Sequence, residues 1–125
     1  MLEKYVKKIL KARVYEIVDK VPLDSAVNLS QLTGNNILLK REDKQPVFSF
    51  KLRGAYNKMV QLSQEEKDKG VIAASAGNHA QGIAMSAYKM KVDALIVMPK
   101  TTPDIKVFAV RRLGGQVELH GNSYD

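Results

Sequence analysis

The sequence predicts an α/β fold: a parallel sheet with helices packed on it, three layers in all. Two observations carry this. After residue 70 the chain alternates regularly between strand-like segments (Val71-Ile72-Ala73-Ala74, Ala94-Leu95-Ile96-Val97-Met98 and Gln116–Leu119) and longer helix-like stretches. Each boundary also has stop or start chemistry, at Gly70, Ser75-Ala76-Gly77, Thr102-Pro103 and Gly114-Gly115. Strands joined through helices are parallel and cross over right-handed, and in such sheets ligands gather beyond the carboxyl ends of the strands.

The elements follow in order. Residues 4–19 read as a helix whose Val6, Ile9 and Leu10 form a buried side and whose Lys4, Lys7, Lys8, Lys11 and Arg13 lie on a solvated face. Val21-Pro22-Leu23 is extended, Leu29–Leu32 is a short helix closed by Gly34, and Asn36–Lys40 is a strand. Glu42–Phe48 is a loop, with Glu42-Asp43 serving its structure, and Ser49–Leu62 is a helix with Ser49 as N-cap. Ser63-Gln64-Glu65-Glu66 has capping-box spacing for a short helix ended by Gly70. Strand 71–75, helix 78–90, strand 94–98, helix 103–113 capped by Thr102 and started by Pro103, and strand 116–119 complete the order. No internal repeat or low-complexity segment interrupts it.

Composition bounds the function. A chain of 125 residues, 45% of them hydrophobic, suits one globular unit and buries roughly two-thirds of its unfolded surface. It has no cysteine, so thiolate catalysis, disulfides and cysteine-ligated metal are excluded. The two histidines, His79 and His120, have no clustered partner, which leaves no zinc site. No apolar run reaches membrane-spanning length and no signal-peptide pattern is visible, so the expectation is a cytoplasmic protein without membrane contact. A net charge of +7 raises the question of nucleic acid, but the lysines gather on one helix face without an aromatic stacking platform or a nucleic-acid-binding signature.

The segment Ser75-Ala76-Gly77-Asn78-His79-Ala80-Gln81-Gly82 joins a strand end to a helix start. Backbone N–H groups at Gly77, Asn78 and His79 have no acceptor within the helix and lie at its positive dipole end, which makes an anion site. The spacing Gly77-x-x-x-x-Gly82 is that of a P-loop, but Ile83-Ala84 stand where Lys and Ser/Thr would be needed, so triphosphate hydrolysis is excluded. Taken alone, the segment is equally a tight turn that needs glycine. Lys51 is unusual in a different way: it lies in the first turn of a helix, where a cation is disfavoured by roughly 0.3–1 kcal/mol.

Together, Ser49-Phe50-Lys51-Leu52-Arg53-Gly54-Ala55 and Ser75–Gly82 resemble the fold type II (tryptophan synthase β-like) pyridoxal-phosphate enzymes, the group containing threonine and serine dehydratases. The flanks Lys40-Arg41-Glu42-Asp43-x-Gln45-Pro46 and Tyr5–Leu23 look most like its biosynthetic threonine dehydratase branch. The resemblance implies pyridoxal 5'-phosphate as cofactor and Lys51 as the lysine that carries it and, once freed, takes the substrate's Cα proton. It implies further that Phe50 packs beside the cofactor and Asn78 bonds its 3′ oxygen. Ser75, Ala76, Gly77, Asn78 and His79 would hold the substrate carboxylate, mainly through N–H groups. Without the resemblance, Phe50 reads as ordinary core and His79 as part of a helix start.

The function implied is dehydration and deamination of L-threonine to 2-oxobutanoate and ammonia, a step of isoleucine biosynthesis. Serine dehydratase, serine racemase and a catalytically inactive fragment are the alternatives. The resemblance also implies two domains, with residues 1–53 the N-terminal part of the large cofactor domain and residues 54–125 a truncated small βαβ-type domain, and a homo-oligomer at full length. The chain stops at Gly121–Asp125, where the alternation calls for another helix. The expectation is therefore half a site: weak cofactor binding, no turnover and self-association for the 125 residues alone.

Overall fold

The computed structural model describes residues 2–123. Six helices and five strands form in chain order, with two sheets among the described residues. Helix α1 spans Leu2–Leu10, β1 Leu23–Ser25, α2 Val27–Thr33, β2 Leu38–Lys40, α3 Lys51–Met59 and α4 Gln64–Asp68. Strand β3 (Val71–Ala74), helix α5 (Asn78–Met90), strand β4 (Ala94–Met98), helix α6 (Asp104–Arg112) and strand β5 (Gln116–Leu119) follow. The second half matches the sequence expectation almost residue for residue.

Strands β3, β4 and β5 lie in that order and are parallel throughout, with Val71 opposite Ala94 and Leu95 opposite Gln116. Helix α5 touches β3 and β4, α6 touches β5, and the two helices touch each other, so both cover the same face. That face supplies the core. Alternate strand residues Ala94, Ile96 and Met98 pack with Ala80, Ile83, Ala84 and Ala87 of α5 and with Val107 and Val110 of α6. The intervening residues Ile72, Ala74, Leu95 and Val97 point to the opposite face and add nothing to the buried core; Ile72 is 69% exposed. Gly70 makes the entry to β3 possible: its φ is +75°, and a Cβ there would stand 2.9 Å from the Asp93 carbonyl oxygen that accepts from Val71 N–H.

The first half departs from expectation in three places. The helix expected over 4–19 ends at Leu10, and a short 3-10 turn, Val14–Glu16, follows after a break. The break serves long-range contacts: Val18 is buried with Val47 and Leu52, while Glu16 pairs with Arg13 and accepts from the Tyr56 hydroxyl. The expected buried side of this helix is not buried: Val6, Ile9 and Leu10 are exposed, and α1 has no buried residue. Finally, the expected strand 36–40 forms only at Leu38–Lys40, in antiparallel register with Leu23–Ser25.

One cap also differs. Thr102 does not cap α6; its Oγ1 is buried without a partner, and Pro103 occupies the N-cap position. Proline's missing N–H costs nothing there, and Lys106 N–H reaches the Pro103 carbonyl instead. The Ser63 capping box forms as expected, with reciprocal bonds between Ser63 and Glu66. Tyr124 and Asp125, part of the helix start expected at Gly121–Asp125, lie outside the described residues.

Candidate active site

Lys51 begins α3. The loop before it is held by alternation: Gln45, Val47 and Ser49 are buried, while Pro46, Phe48 and Phe50 face out. Gln45 clamps a distant strip of backbone, its Oε1 accepting from Asp19 N–H and its Nε2 donating to the Asp19 carbonyl, each at 3.0 Å. Val47 seals the small core with Val18 and Leu52. Phe48 turns the chain with a φ of 55°, an uncommon conformation for a bulky residue and one that stores strain beside the lysine.

Helix α3 starts two residues later than expected. Phe50 stands at its N-cap position, yet the Ser49 hydroxyl still accepts from Lys51 N–H at 3.3 Å, so the expected capping contact survives in another frame. Phe50 is 60% exposed, which overturns its reading as a core residue, and its ring centroid lies 5.4 Å from Lys51 Nζ. Lys51 is exposed and has no ion pair among the described residues. The next basic residue, Arg53, is instead tied down by a two-pronged bond to Glu42 at 2.8 and 2.9 Å. Hydrogen bonding to Arg53 holds Glu42 below its ordinary carboxylate range. The acidic loop therefore anchors the lysine helix, as its structural reading foresaw.

The second motif forms the turn between β3 and α5. Ser75 N–H still pairs with the Val97 carbonyl, and Gly77 N–H donates to the Ser75 hydroxyl at 3.4 Å, so the Gly77 N–H expected to be free has a partner within the turn. Gly77 occupies the N-cap of α5 in extended conformation and offers no side-chain cap. The N–H groups of the first turn therefore have no capping oxygen, which suits an external anion. Ser75, Ala76 and Gly77 are half-buried, whereas Asn78 and His79 are exposed. Ala74, Ser75, Ala76 and Gly77, with Lys106 of α6, line a shallow, open depression on the surface.

The two motifs meet through α3 and α5, which make the most extensive helix–helix contact in the molecule. Gly82, one turn into α5, lies directly against the backbone of Lys51 and Leu52. A primary amine and a turn with uncapped helix N–H groups are thereby carried on two helices in backbone contact. Among the described residues no group of three His, Asp or Glu could hold a metal.

Residues 14–125 match the pyridoxal-phosphate dependent enzyme family. The chain belongs to that family. Among its relatives, a biosynthetic chloroplastic threonine dehydratase of Solanum lycopersicum is 57% identical over 97% of this chain. A biosynthetic L-threonine dehydratase of Pasteurella multocida is 55% identical over the same share. The chain spans 20% and 24% of their respective lengths. The solved structure of a processed threonine deaminase isoform 2 from Solanum lycopersicum superposes with a TM-score of 0.94 at 56% identity, covering 99% of this chain and 34% of that one. Maize serine racemase superposes at 0.90 with 32% identity, covering 95% of this chain and 37% of that one.

Family members work with pyridoxal phosphate, and the residues here fit it. The cofactor needs an accessible amine to carry it and a polar side chain for its ring oxygen. Lys51 is an exposed amine, and Asn78 presents an exposed amide at the start of α5.

Proposed function

We propose that the whole protein is a threonine ammonia-lyase that converts L-threonine to 2-oxobutanoate and ammonia, with Lys51 as the lysine that holds the cofactor. The observation that carries this reading is the packing of the Lys51 backbone, at the start of α3, against Gly82 of α5, the helix whose first turn follows Ser75-Ala76-Gly77.

Each residue then has a task. Lys51 Nζ holds the cofactor and, once freed, accepts the proton from the substrate's Cα. Asn78 donates its amide to the cofactor's 3′ oxygen, and Phe50 shields one side from water. Ser75, Ala76, Gly77, Asn78 and His79 hold the substrate carboxylate, mainly through N–H groups of the turn, with Ser75 contributing its hydroxyl because its own N–H pairs with the Val97 carbonyl. When bound, the cofactor supplies the electron sink for the pair left on Cα. Orienting the carboxylate matters because only a substrate fixed by it presents Cα–H to Lys51.

Threonine is preferred over serine in this reading. Identity of 55–57% to threonine dehydratases supports it, against 32% to a serine racemase of nearly the same backbone. Division into residues 1–53 of a large domain and 54–125 of a small one belongs to the same reading, and the boundary falls inside α3. So do homo-oligomerisation and a cytoplasmic location. Relatives named as chloroplastic and mitochondrial define the competing compartments, which cell fractionation separates.

The test is 2-oxobutanoate release from L-threonine by the whole protein with added pyridoxal phosphate. Turnover abolished by Lys51→Ala, with kcat/KM higher for threonine than for serine, supports the reading. Turnover retained in Lys51→Ala sinks it.

A further inference from the structure

Gly82 lies in the interior of a 13-residue helix, where glycine is a poor choice. Its backbone is not in the left-handed region, so conformational freedom does not explain it. Close approach does. A Cβ at Gly82 would lie 3.2 Å from both the carbonyl carbon and the oxygen of Lys51 and 3.3 Å from the nitrogen of Leu52. These are backbone atoms, which cannot swing aside as a flexible side chain would.

The first turn of α3 also has little room to withdraw. Leu52 is fully buried against Val18 and Val47, and Arg53 is bonded to Glu42. Gly82 itself is fixed: the Ser86 hydroxyl donates to its carbonyl at 2.7 Å within a buried stretch of α5. Gly54 provides an internal contrast. It is also helical, yet a Cβ there would meet nothing within 4 Å.

We propose that Gly82 is a positioning residue: its backbone contact with Lys51 sets the distance between the lysine and the Ser75–His79 turn, and with it the ability of one cofactor to engage both Lys51 and Asn78. This rests on the reading of Lys51 as the cofactor lysine. An added methyl displaces the Lys51 peptide by a few tenths of an ångström relative to a turn carried on α5 itself. Misplacing a reacting group by about 1 Å can cost on the order of 10²-fold in rate, so a shift of a few tenths of an ångström should cost about tenfold.

The experiment compares Gly82→Ala with Gly54→Ala in the whole protein. Before cofactor is added, the amide resonances of Lys51 and Leu52 should move in Gly82→Ala and stay in place in Gly54→Ala. With pyridoxal phosphate, Gly82→Ala should bind it about tenfold more weakly and lose about tenfold in kcat, with KM for threonine little changed. Gly54→Ala should keep both at the unsubstituted level. Unmoved resonances, or unchanged cofactor affinity and kcat in Gly82→Ala, overturn the proposal. If Gly82→Ala does not fold, adding Leu52→Val gives the first turn room to yield. A folded double variant with weak cofactor binding sustains the proposal, and failure to fold even then reduces Gly82 to general packing. The amide shifts are read without cofactor, so a failure of the Lys51 assignment is distinguishable from a failure of the contact.

Discussion

Residues 2–50 and residues 51–119 are held together in different ways. The later stretch is built on apolar burial: small side chains of α5 against alternate residues of a parallel sheet, with Ala80, Ala84 and Ile96 fully buried. The earlier stretch is fastened mainly by polar contacts. Gln45 clamps Asp19, Arg41 bonds Asp24 and Asp43, the Ser30 hydroxyl accepts from Ile37 N–H, and Glu42 holds Arg53 across the join. Among the described residues, the small cluster of Val18, Val47 and Leu52, with Met85 and Leu113 packed against it, joins the two stretches. The site draws on both, since Lys51 is delivered by the polar-fastened loop and the anion turn by the apolar core. Conditions that weaken polar contacts should therefore disturb the lysine before the turn.

The largest expected effect lies in the apolar stretch. Ile96→Ala removes a fully buried side chain from the central strand and should cost about 2–5 kcal/mol, measured by denaturant unfolding. A cost under about 1 kcal/mol would mean that the sheet is not the core of this unit.

Next comes the join. Glu42→Gln should cost about 1.5–3 kcal/mol, because it leaves Arg53 without a charged partner in a partly buried place. Acid should have the same effect. Arg53 lowers the Glu42 carboxyl below its ordinary 4.5, and hydrogen bonds from Arg13 and Tyr56 lower Glu16. A carboxylate with a depressed folded value contributes stability above its unfolded value and loses it as pH falls through the folded one. Amide protection around Gln45–Arg53 should therefore fade as pH drops below 4.5, while that of β4 persists. Simultaneous loss in both stretches would erase the distinction between them.

The smallest effect expected is a gain. Phe48→Gly relieves a left-handed backbone of about 1 kcal/mol without removing a buried side chain, so thermal stability should hold or rise slightly. A marked fall would show that Phe48 packs on something its exposure does not suggest.

The difference between the stretches also explains what was legible in the sequence. Helix 78–90 and strand 94–98 could be read because the core there is written locally, in apolar residues bounded by glycine and proline, and strand 116–119 because Gly114-Gly115 marks its start. The 4–19 segment misled because its apolar spacing continues through Val14, Ile17 and Val18, although the chain breaks at residues 11–13 so that Val18 and Glu16 reach partners far away. Lys51 and the Ser75–His79 turn were visible as motifs, but what joins them was not. A glycine chosen for contact with distant backbone looks, in sequence, like any helical glycine. The core reading of Phe50 failed for the same reason, since outward alternation of the loop depends on Gln45 and Val47 finding buried partners.

The central claim is that Lys51 is the amine that meets the cofactor. Its most direct test is borohydride reduction of the whole protein in the presence of pyridoxal phosphate, followed by peptide mapping. The account predicts a single stable label on Lys51, absent in Lys51→Ala and reduced in Gly82→Ala. A label on any other lysine, or one spread over the exposed lysines of α1, would contradict it.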